Sequence, residues 1–177
     1  MFCTVKRSLA LAIRRKFQYK MPIGHSPASE RNKAPITDVL KRYVPTAETQ
    51  DPIDILEISS GSGNHIVHFA RSFPANIRWQ PSEYDPELIG RITSYLQEVG
   101  DQVRNVREPL LVDVSAPIQE WGQSLLIHER FDFMININLV HISPFRCAEG
   151  LFEGAGQLLK DGGRMFTYGP YAKGGVL

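Results

Sequence analysis

Cysteine is nearly absent: Cys3 and Cys147 are the only two in 177 residues, which excludes a disulfide framework and gives no sign of a zinc site. No apolar run approaches the roughly 20 residues of a membrane helix, so no membrane span is expected. Charge of either sign is also lacking in excess, since 20 Lys and Arg face 19 Asp and Glu for a net +1. The balance is uneven along the chain. Residues 1–20 hold Lys6, Arg7, Arg14, Arg15, Lys16 and Lys20 and no acid, so a total of +1 leaves −5 on the rest. An acidic body offers no positive field for a polyanion, and nucleic acid is not an expected partner. What remains is ordinary globular composition, 42% hydrophobic, enough for one domain with a good core.

The basic start reads in two ways. Phe2, Val5, Leu9 and Ile13 fall on one side of a helix and Arg7, Arg14 and Arg15 elsewhere, as in a mitochondrial presequence; alternatively translation begins at Met21. We therefore expect a leader over residues 1–28, a domain over 29–177, and a cytoplasmic or mitochondrial location. Residues 22–34, rich in Pro, Ser and charge, predict a flexible lead-in. Ile36, Val39, Leu40 and Tyr43 then predict a short helix ended by Pro45.

The stretch that organises the domain is Asp54 to Phe69. Ile53, Ile55, Leu56 and Ile58 suit a strand buried on both faces of a parallel sheet. Ser59-Ser60-Gly61-Ser62-Gly63 allows a tight turn and close approach to a ligand. Ile66, Phe69, Ala70 and Phe73 follow at helical spacing. Strand, glycine turn and helix form the nucleotide-binding unit of a doubly wound α/β fold. A dinucleotide fingerprint requires a third glycine, whereas Asn64, His65 and Ile66 follow Gly63 here. Glu57, just before the turn, would repel a pyrophosphate and suits a ligand carrying an amino group and a sulfonium.

Further along, residues 76–81 predict a second strand leading to Glu83, 26 residues after Glu57. An acid there accepts hydrogen bonds from ribose hydroxyls. Asp85 and Pro86 predict a helix N-cap and first turn, with Leu88, Ile89, Ile92, Tyr95, Leu96 and Val99 on its inner face and a stop at Gly100. Residues 109–114 predict a third strand around Asp113, and Pro117 begins a helix facing inward through Ile118, Trp121 and Leu125. Residues 131–141 predict a fourth strand and its exit. Asn136 and Asn138 are unusual in so apolar a run, because a buried amide without partners costs roughly 1–3 kcal/mol. Ser143-Pro144 caps a helix with an inner face of Ala148, Leu151, Phe152, Ala155, Leu158 and Leu159. Lys160-Asp-Gly-Gly163 breaks it before a fifth strand, Arg164 to Tyr168. His65 and His68 lie three apart on one helix with no evident third ligand, so no metal is expected.

Taken together, the turn resembles the acidic-x-Gly-x-Gly-x-Gly motif of class I S-adenosylmethionine-dependent methyltransferases, with Ser59 in place of the first glycine. Leu-Leu-Lys-Asp-Gly-Gly163 resembles their turn before strand five. More narrowly, Glu30-Arg-Asn-Lys33, Leu-Glu-Ile-Ser-Ser-Gly-Ser-Gly63, Trp79-Gln-Pro-Ser82, Glu149-Gly-Leu-Phe152 and Tyr168-Gly-Pro-Tyr171 resemble the methyltransferase-like protein 26 family. That resemblance implies a Rossmann-like class I methyltransferase fold, a parallel sheet with helices on both faces and strand order 3-2-1-4-5-7-6. The last two strands would be missing here, which makes the chain look truncated. It implies S-adenosyl-L-methionine as cofactor, held by Glu57, Ser59, Gly61, Ser62, Gly63, Glu83 and Asn136, with Asp113 and the Val114 amide on the adenine.

The activated methyl group calls for alignment more than for acid–base help. His141 and Tyr168, at neighbouring strand exits, are the candidates for catalytic contact with an acceptor. No Asn-Pro-Pro-Tyr signature follows strand four, which leaves the acceptor open and a small molecule favoured. The rival classes are a non-catalytic cofactor-binding or pseudoenzyme form and a nicotinamide-dependent oxidoreductase, the latter disfavoured by Glu57 and the missing glycine.

Overall fold

The apolar run at Ile53 becomes β1 (Ile53–Ile58), whose alternate residues feed two separate cores. We analysed a computed structural model in which residues 26–124 and 130–171 are described. The other strands are β2 (Ile77–Glu83), β3 (Leu110–Leu111), β4 (Phe131–Ile137) and β5 (Leu159–Tyr168). They form one sheet ordered β3-β2-β1-β4-β5. Every strand pairing is parallel. Ile55 faces a core with Phe69, Trp79 and Ile135, while Leu56 and Ile58 face another with Trp121, Met134 and Leu151. A strand covered on both faces has no reason to alternate polar and apolar side chains, hence the continuous run.

Helices α1 (Pro27–Leu40), α2 (Asn64–Ser72) and α3 (Pro86–Val99) cover the first face and α4 (Phe145–Leu158) the second. Asp85 caps α3 as predicted, its Oδ1 accepting from Glu87 N–H at 2.9 Å with Pro86 in the first turn. Asp85→Ala should cost about 1 kcal/mol, read as a lowered urea midpoint with an unchanged slope. The amino end of the sheet is pinned by charge. Asp54 accepts from Arg78 and from Arg107 at 3.1 Å, and Asp132 accepts from Lys160 at 2.8 Å and from the Asp54 N–H at 2.8 Å.

Several predicted elements differ. Over the expected lead-in at 22–34, α1 already starts at Pro27, with the Ser26 hydroxyl at its N-cap. On that helix Val39 is exposed, and Tyr43 beyond its end is exposed too, packing on Phe166 at 5.4 Å between ring centroids. The second strand continues to Glu83, because parallel pairing with β1 and then β3 carries it through Pro81, whose missing N–H breaks no pairing there. The third strand shrinks to two residues, and a 3-10 helix at Ile118–Ser124 replaces the expected α-helix. Phe152 is exposed, not on the inner face of α4, where Gly150 and Gly154 are buried instead. β5 starts earlier than Arg164, with a register shift opposite β4 between Phe131 and Phe133 that absorbs the glycine turn. Residues 1–25 of the expected leader, Leu125 and the tail after Tyr171 lie outside the described residues.

Candidate functional site

A doubly wound sheet leaves its crevice outside the carboxyl ends of the strands, and a cavity of about 940 Å³ lies there. Its floor is the turn after β1. Ser60 N–H donates to Ser82 O at 2.8 Å and Ser82 Oγ to Glu57 O at 2.8 Å, which ties the turn to β2. Ser59 has φ +60, a left-handed backbone that the glycine of the related motif adopts freely and that a serine adopts at a cost of roughly 1 kcal/mol. Asn138, at the exit of β4, has φ +63, and both residues line the cavity. Among the described residues these are the two non-glycine positions with positive φ. Backbone strain of this kind gathers at functional sites.

Glu83, at the end of β2, is buried and braces the turn: its Oε2 accepts from Gly61 N–H at 2.7 Å and its Oε1 from Tyr84 N–H at 2.8 Å. An ionised carboxylate offers about four lone-pair sites, so both oxygens retain accepting capacity toward the cavity. Gly61, at φ +58, has nothing within 4 Å of where a Cβ would stand, so the backbone is open to close approach. Asp113 Oδ1 accepts from the amide and hydroxyl of Ser115 at 2.9 and 2.6 Å, which fixes the loop after β3. Thus Ser59, Gly61, Ser62, Glu83, Asp113 and Val114 line one cavity.

The remaining residues singled out in the sequence lie elsewhere. Gly63, at φ +78, faces Ile92 of α3 at 3.4 Å from a notional Cβ. Glu57 and Asn136 are buried beneath the cavity. Asn136 Nδ2 donates to Ile58 O at 3.1 Å, while its Oδ1 and Glu57 Oε2 have no hydrogen-bond partner. Burial above all, with the Glu83 charge adding and a Ser60 hydrogen bond opposing, pushes Glu57 up to about 7. His141 is exposed and stands beside Gly169, and Tyr168 is 45% exposed with its carbonyl accepting from Asn138 N–H at 2.8 Å. Neither lines the cavity.

Other wall residues carry no motif in the sequence. Ser26, Ser29 and His65 close the cavity on the α1 side. Asn64 Nδ2 donates to Ser29 Oγ at 3.0 Å and Glu30 Oε1 at 2.6 Å, and His65 Nε2 pairs with Asn32 Oδ1 at 2.8 Å. Burial, then the neighbouring His68 and Lys33, hold His65 down to about 4, so its ring is neutral near pH 7. The signal for this wall is Ser26-Pro27, an N-cap and first-turn pair of the same kind as Asp85-Pro86. No group of three or more metal-ligating side chains occurs among the described residues, and no described helix is long and apolar enough to cross a membrane.

Fold and crevice together define the class: this is a Rossmann-like class I methyltransferase fold. The glycopeptide N-methyltransferase MtfA complexed with (S)-adenosyl-L-methionine superposes with a TM-score of 0.61 at 16% identity, covering 77% of this chain and 53% of that one. The CurJ carbon methyltransferase matches at 0.62 and 18% identity, covering 84% and 37%. Coclaurine N-methyltransferase bound to N-methylheliamine and SAH matches at 0.57 and 18%, covering 76% and 35%. The chain thus spans between about a third and a half of the length of these neighbours. By sequence, it belongs to the family described as "Protein of unknown function (DUF938)", whose model matches residues 24–177.

Proposed function

We propose that the protein is an S-adenosyl-L-methionine-dependent methyltransferase acting on a small-molecule acceptor. One observation carries this: the strained turn after β1, the acid after β2 and the acid after β3 line a single cavity at the carboxyl edge of the sheet. Its size lies within the roughly 300–1,000 Å³ of small-molecule sites. The residues suit the cofactor chemically. Glu83 would accept from ribose hydroxyls, Asp113 and the Val114 amide would hold the adenine edge, and the open backbone at Gly61 would leave room for the rest. Bound there, the cofactor supplies a methyl group already activated by its sulfonium.

This chain's part is to orient and to exclude water. Glu83 rigidifies the turn through Gly61, and Ser29 and His65 close the α1 side. His141 and Tyr168 stand off the wall and carry no step in this proposal. The motifs shared with the methyltransferase-like protein 26 family support the same reading, and membership in that family is part of the proposal. Glu57 under the turn, with no third glycine after it, favours a cationic ligand over a dinucleotide.

Calorimetric titration tests it. S-adenosyl-L-methionine should bind with micromolar affinity and NAD should not, and Glu83→Ala should weaken binding about tenfold, the effect of losing roughly 1.4 kcal/mol of charge-assisted hydrogen bonding. A folded protein that binds NAD as well, or binds neither, overturns the proposal.

A further inference from the structure

We infer that Glu57 is a buried charge sensor for this cavity, releasing its proton when a cationic ligand enters and keeping it when the ligand's sulfur is neutral. The inference rests on the function proposed above and adds a specificity-determining residue to it. Its geometric basis is the position of the carboxyl group. Glu57 is the penultimate residue of β1, just before the turn, is 1% exposed, and leaves Oε2 without a hydrogen-bond partner. A buried carboxylate oxygen with no donor and no counter-ion is costly. Two states relieve that cost: a proton on the carboxyl, or a positive charge nearby.

Among the described residues, the groups that shift it include no positive charge. Across the sheet, β2 offers Pro81 and β4 offers Ile135 in register. The titratable and charged groups on the adjoining elements include Glu83 at the end of β2, His65 and His68 on α2, Arg91 on α3, and Glu30 and Lys33 on α1. Glu83 is the charged group that acts on Glu57, and its like charge disfavours a second carboxylate, while the Ser60 hydroxyl favours one. Arg91 is exposed at the cavity wall, and His65 is held neutral. Burial sets the balance, placing the carboxyl group near pH 7, where both states are populated.

In the ligand-free protein the proton therefore resides on Glu57 below neutrality. When the sulfonium compound binds, the carboxyl O–H bond breaks, its electron pair stays on oxygen, and the proton leaves to the buffer. The demethylated product keeps the amino group but has lost the sulfonium and with it the net positive charge, so it compensates a carboxylate less. Substrate and product are thus discriminated by charge as well as shape, and the discrimination grows with pH.

Proton counting tests this on the full chain. S-adenosyl-L-methionine and S-adenosylhomocysteine are titrated calorimetrically in two buffers of different ionisation enthalpy. At pH 7 the first should release about half a proton and the second close to none. Affinity for the first should rise about tenfold from pH 6 to pH 8, while that for the second stays within about twofold. Glu57→Gln should bind both without proton release and without this pH dependence. For a readout that needs no variant, the carboxylic-acid C=O stretch of the wild-type protein should fade in difference infrared spectra on adding S-adenosyl-L-methionine alone. Equal release with both ligands, or release that persists in Glu57→Gln, overturns the inference. Binding of neither ligand instead overturns the function on which it rests.

Discussion

At pH 8, Glu57→Gln should be more stable than the wild-type protein by up to about 3 kcal/mol, measured by isothermal urea unfolding. The sign follows from linkage. Glu57 has an ordinary value of 4.5 when unfolded and about 7 when folded. Between these values the folded state holds a proton that the unfolded state has lost, so stability falls as pH rises and the loss is complete above about pH 7. His65 opposes it. Its value drops from 6.5 to about 4 on folding, chiefly by burial, so the unfolded state takes up a proton first and stability falls as pH drops through that window. The two slopes cancel where they overlap, between about pH 4.5 and 6.5. The wild-type profile should be flatter there than that of Glu57→Gln, which should rise with pH, with His68, also lowered by burial, adding to that rise; His65→Gln should fall relative to the wild type. Parallel profiles for all three proteins would show that neither group is perturbed by burial.

Gly150→Ala should cost about 3 kcal/mol or more and should also weaken ligand binding. A Cβ at Gly150 would stand 1.7 Å from the Val114 carbonyl oxygen, a backbone atom that no rotamer change can move away. Either helix α4 or the β3 exit must therefore give way, and movement of the exit displaces Val114 and Asp113 in the cavity wall. Gly156 lies on the same helix with nothing within 4 Å, and Gly156→Ala should instead stabilise by about 0.5–1 kcal/mol. Opposite shifts in thermal midpoint from the same chemical change would isolate the contact; two similar shifts would contradict it.

These residues show how far the sequence could be read. The first strand, the glycine turn and the strand-end acids Glu83 and Asp113 were legible because each follows from a local pattern: an apolar run, small residues, or an acid at a strand exit; the strand order came from the family resemblance alone. Gly150 was not, since its reason is a backbone 36 positions away pressing on a helix. Nor was His65, whose pattern fits any helix and whose place in the wall depends on Asn32 of α1. α1 itself was missed at its start because Pro and Ser suggested a lead-in, although Ser26-Pro27 obeys the same capping logic that identified Asp85-Pro86. His141 and Tyr168 were singled out by sitting near strand exits, but adjacency in sequence does not fix which side of the exit faces the cavity. Phe152 was assigned inward by spacing, where two glycines allow the closer helix–sheet approach instead.

The parallel register of the sheet has a consequence for how the chain reaches its folded state. β1 gains its β2 partner within about one crossover, but its other edge waits for β4, whose Asn136 bonds to Ile58 at a separation of 78 residues. Closing so long a loop is entropically demanding, and topologies dominated by such contacts fold slowly. During synthesis β1 stays half-paired until residue 137 has emerged, with Ile55, Leu56 and Ile58 open to other chains. The central position that later shields β1 on both sides is thus completed only once β4 has been made, and β4 in turn waits for β5.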